Sequence, residues 1–107
     1  MLRSLSDACS QVAEYRLSPA AERDLEEIWR HTRRHWSVEQ ADRYIDIFVA
    51  AFVTLAEAPT QGSGCEDIRP GYRRHRVVRH MVYFQTTGNG VAIVRILHDR
   101  MDALRHL

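Results

Sequence analysis

Four arginines and two histidines crowd one short stretch: Arg73, Arg74, Arg76 and Arg79, with His75 and His80. On a strand, the two-residue period puts Arg74 and Arg76 on one face and Arg73 and His75 on the other. Two readings are open. Charges on an edge strand resist edge-to-edge aggregation. The same guanidiniums also make an anion-binding face, for phosphates or for a partner's carboxylates. A second group is Arg95-Ile96-Leu97-His98-Asp99-Arg100-Met101-Asp102. There Arg95 interrupts an apolar run, where a charge must be paired or reach water, and so it points to a functional face. His98 and Arg100 fall where that run ends. Phosphodiester cleavage needs a general base, a general acid and cations around the scissile phosphate. His98, Arg95, Arg76 and Tyr83 are the set that would supply them, with His80 beside them. Six histidines in 107 residues make some clustering by chance expected.

Other chemistries find less support. His31 and His35 have the i, i+4 spacing that can chelate on a helix, but no acid or cysteine is placed to complete a shell, so no metal site is expected. Cys9 and Cys65 have no CxxC spacing and read as free thiols. There is no phosphate-binding glycine loop and no nucleophile elbow. No cofactor is expected.

The net formal charge is only +1, so the chain as a whole has no nucleic-acid signature. Its distribution is uneven. Residues 37–58 hold Glu39, Asp42, Asp46 and Glu57 against Arg43, a net −3. From Pro59 onward eight arginines face Glu66, Asp67, Asp99 and Asp102, a net +4. The chain has no lysine, so every fixed positive side chain is a guanidinium. Genomic base composition is one explanation for that. A planar fork also suits a fixed surface for carboxylates or phosphates. No run is long and apolar enough to span a membrane, and no secretion signal is read, so a cytoplasmic location is expected.

The elements that must position these groups are legible from local patterning. Residues 1–13 show no periodicity and read as a flexible extension, leaving 14–107 as one domain. Glu14-Tyr15-Arg16-Leu17 alternates like a strand. Ser18-Pro19 is a helix start, with Ser as N-cap and Pro at the first position. Acids follow early and Arg30, Arg33, Arg34 and His35 late, as the helix dipole favours. Ala21, Leu25, Ile28, Trp29, Thr32 and Trp36 recur at helical spacing and predict one buried face. Ser37 with Gln40 is a capping-box pattern opening a second helix to about Glu57. Its apolar band, including Tyr44, Ile47, Phe48 and Ala51, is wider than one contact needs. It is either sandwiched between layers or partly open to a partner. Residues 59–71 read as a loop. Strands are predicted over 72–77, 80–86 and 91–98, the last two joined by a hairpin turn at Thr87-Gly88-Asn89-Gly90, where Asn-Gly tolerates the positive φ of a tight turn. The expected fold class is α+β, in the order β-α-α-β-β-β, with an N-terminal helical hairpin packed on a small antiparallel sheet.

Four ordered blocks carry a resemblance. Residues Tyr15 to Ala21 with Asp24-Leu25-Glu26-Glu27-Ile28-Trp29 resemble the opening of ParE-type toxins, the plasmid-stabilisation branch of the RelE/ParE superfamily. Ala41-Asp42-Arg43-Tyr44 and Leu55-Ala56-Glu57-Ala58-Pro59 are similar to its second helix. Glu66-Asp67-Ile68-Arg69-Pro70-Gly71-Tyr72-Arg73 and the Arg95 to Asp102 block are similar to its C-terminal signatures. Tyr72, His75 and Gln85 depart from the pattern. The resemblance implies the toxin of a type II toxin–antitoxin system, neutralised by a ParD-like antitoxin whose C-terminal segment folds across it. It implies DNA gyrase as target and no catalysis, no membrane partner, and no direct sequence-specific nucleic-acid binding by the toxin alone. The alternatives are a RelE-type ribosome-dependent mRNA endoribonuclease, or an inactive antitoxin-binding module. On this reading Trp29, Tyr44, Ile47, Phe48, Ala51 and Arg73 would meet the antitoxin. Arg74, Arg76, Arg95, His98, Arg100 and Met101 would meet the target.

Overall fold

The computed structural model describes residues 14–65, 68–98 and 107. The 1–13 extension, Arg100 and Met101 therefore lie outside the described residues. Strand β1, Glu14–Leu17, leads directly into helix α1, Pro19–His35. The Ser18 hydroxyl accepts from the Ala21 N–H at 3.0 Å, one of the orphan donors of the first turn. Helix α2, Val38–Glu57, begins in the same way, with Ser37 Oγ accepting from Gln40 N–H. A 3-10 turn at Pro59–Gln61 follows, then strands β2 (Ser63–Gly64), β3 (Arg73–Val77), β4 (His80–Thr86) and β5 (Gly90–His98). The class is α+β as expected: a helical hairpin covering one face of a small sheet.

The sheet is mixed, in the order β1-β5-β4-β3-β2. Strands β2 to β5 pair antiparallel and β1 adds in parallel to β5, Glu14 opposite Gly90 through Leu17 opposite Ile93. Gly90 is required here. A Cβ built on it would lie 1.7 Å from the Glu14 carbonyl oxygen, so any side chain would push β1 away. The main core lies between hairpin and sheet. Phe48, Phe52 and Leu55 of α2 meet Val82 and Phe84 of β4 and Val91, Ile93 and Ile96 of β5. Across the sheet, Tyr83 and Leu97 pack with Cys65, and half-buried Tyr72, Met81 and Leu107 complete a smaller cluster.

A bulge in β5 sets which residue faces where. Tyr83 pairs with Arg95 but Phe84 pairs with Ile93, leaving Val94 as the extra residue. Val91 and Ile93 face the helices before it, and Ile96 does so after it, while Leu97 faces away. Ser18 clamps the bulge: its N–H donates to the Ile93 carbonyl at 2.9 Å and its hydroxyl to the Val94 carbonyl at 2.6 Å.

Trp36 departs from the predicted buried face and is 77% exposed. It is the C-cap residue of α1, at φ −133° and ψ −94°, so it leaves the helical path and the helical spacing no longer applies to it. Val78, in the β3–β4 turn, has φ 57°. A β-branched side chain is strained in that left-handed region. Since Val78 is half exposed, little packing offsets the strain. Val78→Gly is expected to raise stability by about 1 kcal/mol, a gain of several degrees in Tm for a domain of this size. Thermal unfolding followed by circular dichroism checks it, and a lower Tm would show that the Val78 side chain packs usefully.

Candidate functional site

The two faces of the sheet divide the residues singled out by sequence. Val77 faces the main core, so strand alternation turns Arg74 and Arg76 to the opposite face. Arg74 lies opposite Tyr83, and Tyr83 opposite Arg95, giving one row across three strands. Arg76 is exposed and heads the neighbouring row with Met81 and Leu97. On this far face Arg74 and Arg76 stand beside a small apolar cluster.

His98 is on the other face. Its ring meets that of His80 edge to face at 5.3 Å, and His80 in turn meets Phe48 at 5.6 Å and Tyr44 at 6.3 Å. The sheet thus stands between His98 and the pair Tyr83 and Arg76. His98, Tyr83 and Arg76 therefore do not converge on one phosphate.

Arg95 is engaged by α1. Its Nε donates to Asp24 Oδ2 at 2.8 Å and its Nη2 to Oδ1 at 3.0 Å, a two-pronged pair largely shielded from water. The hydrogen bond to Asp24, with its charge, raises the Arg95 pKa against the opposing effect of burial. Asp24 Oδ2 also accepts from the Ile96 N–H at 2.9 Å. Beyond Leu17, β1 no longer covers β5, and Asp24 takes over the hydrogen bonding of that edge. The charge within the apolar strand is therefore paired rather than presented to solvent.

The residues proposed for the antitoxin are mostly employed by the fold. Phe48 is fully buried, and Tyr44 and Ala51 pack on the core. An open groove that includes Phe48 is therefore absent, because its ring fills the space between α2 and the sheet. Burial raises the Tyr44 pKa, opposed by the charge and backbone hydrogen bond of Arg79. Trp29 Nε1 donates to Asp42 Oδ1 at 2.9 Å and its ring lies under the Arg33 guanidinium, so it ties α1 to α2. Arg73 donates to the carbonyls of Pro59 and Gly62 and pins the loop after α2. Only Ile47, 47% exposed, presents a large apolar side chain outward from this set.

His31 and His35 stack at 4.2 Å, with His35 Nδ1 at 2.9 Å from the His31 carbonyl, which uses the pair locally. Among the described residues no cluster of His, Cys, Asp or Glu could hold a metal ion. Cys65 is a free, buried thiol. No described helix is long and apolar enough to cross a membrane. Sequence reading missed a recess of about 610 Å³ between α1, the start of α2 and the β3–β4 turn, lined in part by His31, Trp36, Tyr44, Val78 and Arg79. Nothing in local patterning marks it, since its walls come from four separate parts of the chain.

A helical hairpin over a small mixed sheet, with Arg74 and Arg76 on its far face, defines a small α+β domain. The chain belongs to the ParE toxin family: the family described as "ParE toxin of type II toxin-antitoxin system, parDE" matches residues 15–103. Toxin ParE1 of Mycobacterium tuberculosis is 43% identical over 96 residues, covering 89% of this chain and 98% of that protein. Toxin ParE1 of Caulobacter vibrioides is 41% identical over 93 residues, covering 87% and 96%. Toxin ParE of Escherichia coli is 34% identical over 94 residues, covering 87% and 91%. The fold is shared with a solved chain titled "Chromosomal ParDE TA system from P. aeruginosa", with a TM-score of 0.70 at 22% identity, covering 82% of this chain and 97% of that one.

Proposed function

We propose that this chain is a gyrase-directed toxin that acts by binding, without catalysis, and is neutralised by a ParD-like antitoxin in the cytoplasm. The observation that carries the non-catalytic reading is the division of His98 from Tyr83 and Arg76 by the sheet, with Arg95 held by Asp24. What the far face offers instead is a set of guanidiniums, Arg74 and Arg76 foremost. Such a surface suits a docking contact with an acidic or phosphate-lined target. Arg95 acts there through positioning rather than as an open cation. Arg100 and Met101 belong to the same proposal through the family pattern.

The test is a supercoiling assay with purified gyrase and this chain. Inhibition and accumulation of cleaved DNA are expected at micromolar toxin. The double variant Arg74→Glu/Arg76→Glu should weaken inhibition by roughly tenfold or more, because it reverses charge on the docking face. Untouched supercoiling at micromolar excess would sink the gyrase reading. New cut sites in translating messages after induction would replace it with the endoribonuclease. Absence of growth arrest without antitoxin would leave only the inactive binding module.

A further inference from the structure

The far face of the sheet extends beyond the residues already placed on it. Tyr15 and Leu17 pack into the main core, so strand alternation turns Arg16 of β1 to the side that carries Arg74 and Arg76. Arg16 lies opposite Ala92 and Ala92 opposite Gln85, a row whose two ends are exposed. The described strands together hold five arginines and one carboxylate, Glu14. Glu14 shares the face of Arg16 but stands at the end of the sheet, opposite Gly90. Arg73 is held by the loop after α2, and Arg95 by Asp24. The guanidiniums of Arg16 and Arg74 have no ion pair or hydrogen bond among the described residues.

The make-up of the exposed surface decides the class of partner. The large apolar side chains exposed among the described residues are Trp36, Val38, Ile47, Val53 and Val78. Trp36 caps α1, the next three lie on α2, and Val78 lines the recess on the helical side. On the far face, Tyr72 and Met81 are half-buried in their own cluster. Protein partners dock around a desolvated apolar or aromatic anchor, whereas nucleic-acid interfaces are polar and strongly positive. Separate guanidiniums with Gln85 and Thr86 exposed beside them are of the second kind.

We propose that this face holds the sugar–phosphate backbone of duplex DNA, with Arg16 of β1 and Arg74 of β3 as its phosphate anchors. The proposal rests on the gyrase reading above and names what the far face touches: the DNA that gyrase holds, rather than an acidic surface of the enzyme. In the order β1-β5-β4-β3, Arg16 and Arg74 stand three strand spacings apart, about 14 Å. That is close to the ~12 Å width of the major groove of B-DNA, so the two long side chains reach phosphates of opposite strands. Phosphate contacts carry no base information, and the grip is therefore indifferent to sequence. Each contact releases condensed counterions, so affinity falls as salt rises.

Fluorescence anisotropy of a labelled random-sequence duplex with the purified chain tests this, over about 50–200 mM salt. Micromolar binding is expected at the low end, and log affinity should fall against log salt with a slope of about −2 or steeper. Arg16→Gln and Arg74→Gln should each weaken binding several-fold and flatten that slope by about 1. Arg23→Gln, exposed on α1, removes the same charge from the helical side and should leave affinity and slope nearly unchanged. In a gyrase cleavage assay, Arg16→Gln should need roughly tenfold more toxin for the same effect. No duplex binding at low salt, or equal losses in Arg16→Gln and Arg23→Gln, would overturn the proposal, while supercoiling inhibition by the parent chain would keep the gyrase reading intact. Binding to DNA-free gyrase that Arg16→Gln abolishes, with duplex binding unmoved, would overturn it in favour of an acidic protein surface. RNA of the same length bound more than about tenfold tighter than the duplex would overturn it in favour of RNA. A chain that binds duplex through Arg16 yet leaves gyrase untouched would support this site and overturn the gyrase reading instead.

Discussion

Phe48→Ala is expected to lower the free energy of unfolding by about 3–5 kcal/mol, measured by urea denaturation of the isolated chain. Phe48 has no exposed surface and touches both Tyr44 and Phe52 in the layer between hairpin and sheet. Truncation removes its transfer free energy and leaves a cavity that α2, pinned at its end through the Arg73-held loop, closes only in part. Against a typical total of about 5–15 kcal/mol, a domain of this size would be left marginal. Ile47→Ala, one residue along the helix and largely in water, should shift stability by less than about 1 kcal/mol. The comparison separates core from surface on one helix. A Phe48→Ala protein of near-native stability would mean that the ring is not core and that α2 carries an open groove.

The second large effect is expected at Asp24. Asp24→Ala strips the partner from Arg95 and the acceptor from the Ile96 N–H at once, in a place where both side chains are mostly shielded. The cost is about 2–4 kcal/mol, dominated by the unpaired charge and the orphaned backbone donor. Asp24→Asn retains an acceptor for Ile96 and should lose roughly half as much. A double-mutant cycle with Arg95→Ala should return a coupling of at least about 1 kcal/mol. A coupling near zero would show that the pair is incidental and that β5 holds its edge without it. Gyrase inhibition per folded molecule should survive in Asp24→Asn, since on the present reading Asp24 positions Arg95 and touches no target.

Where the determinants are local, the fold is legible in the sequence. Ser18-Pro19 and Ser37 with Gln40 mark both helix starts through hydrogen bonds three residues long, and both are found in place. The β4–β5 hairpin is found where Thr87-Gly88-Asn89-Gly90 predicts it, but not for the expected reason: neither Asn89 nor Gly90 has a positive φ, and Gly90 already belongs to β5, where the Glu14 carbonyl leaves no room for a side chain. The chemistry was less legible. Asp24 sits in the second turn of α1, where any acid suits the dipole, and its partner is 71 residues away. The bulge at Val94 depends on Ser18 and on the end of β1, so no reading of β5 alone reveals that Ile96 returns to the helical face while Arg95 turns from it. His98 and Tyr83 looked like neighbours because they lie on adjacent strands, and only the register shows them on opposite faces. The parallel pairing of β1 was equally hidden, since nothing in Glu14–Leu17 names its partner.

The place of β5 in the sheet has a consequence for synthesis. It is the strand on which β1 and β4 both depend, yet it is the last described strand to leave the ribosome. Until it emerges, the hairpin can bury Phe52 and Leu55 only against β3 and β4, without Val91, Ile93 and Ile96, and β1 must wait for a partner nearly the whole domain away. Closing so long a loop is slow relative to forming local helices. A nascent chain that lacks β5 therefore carries helices without the completed sheet, and the row that joins Arg74, Tyr83 and Arg95 forms only once the last described strand has emerged.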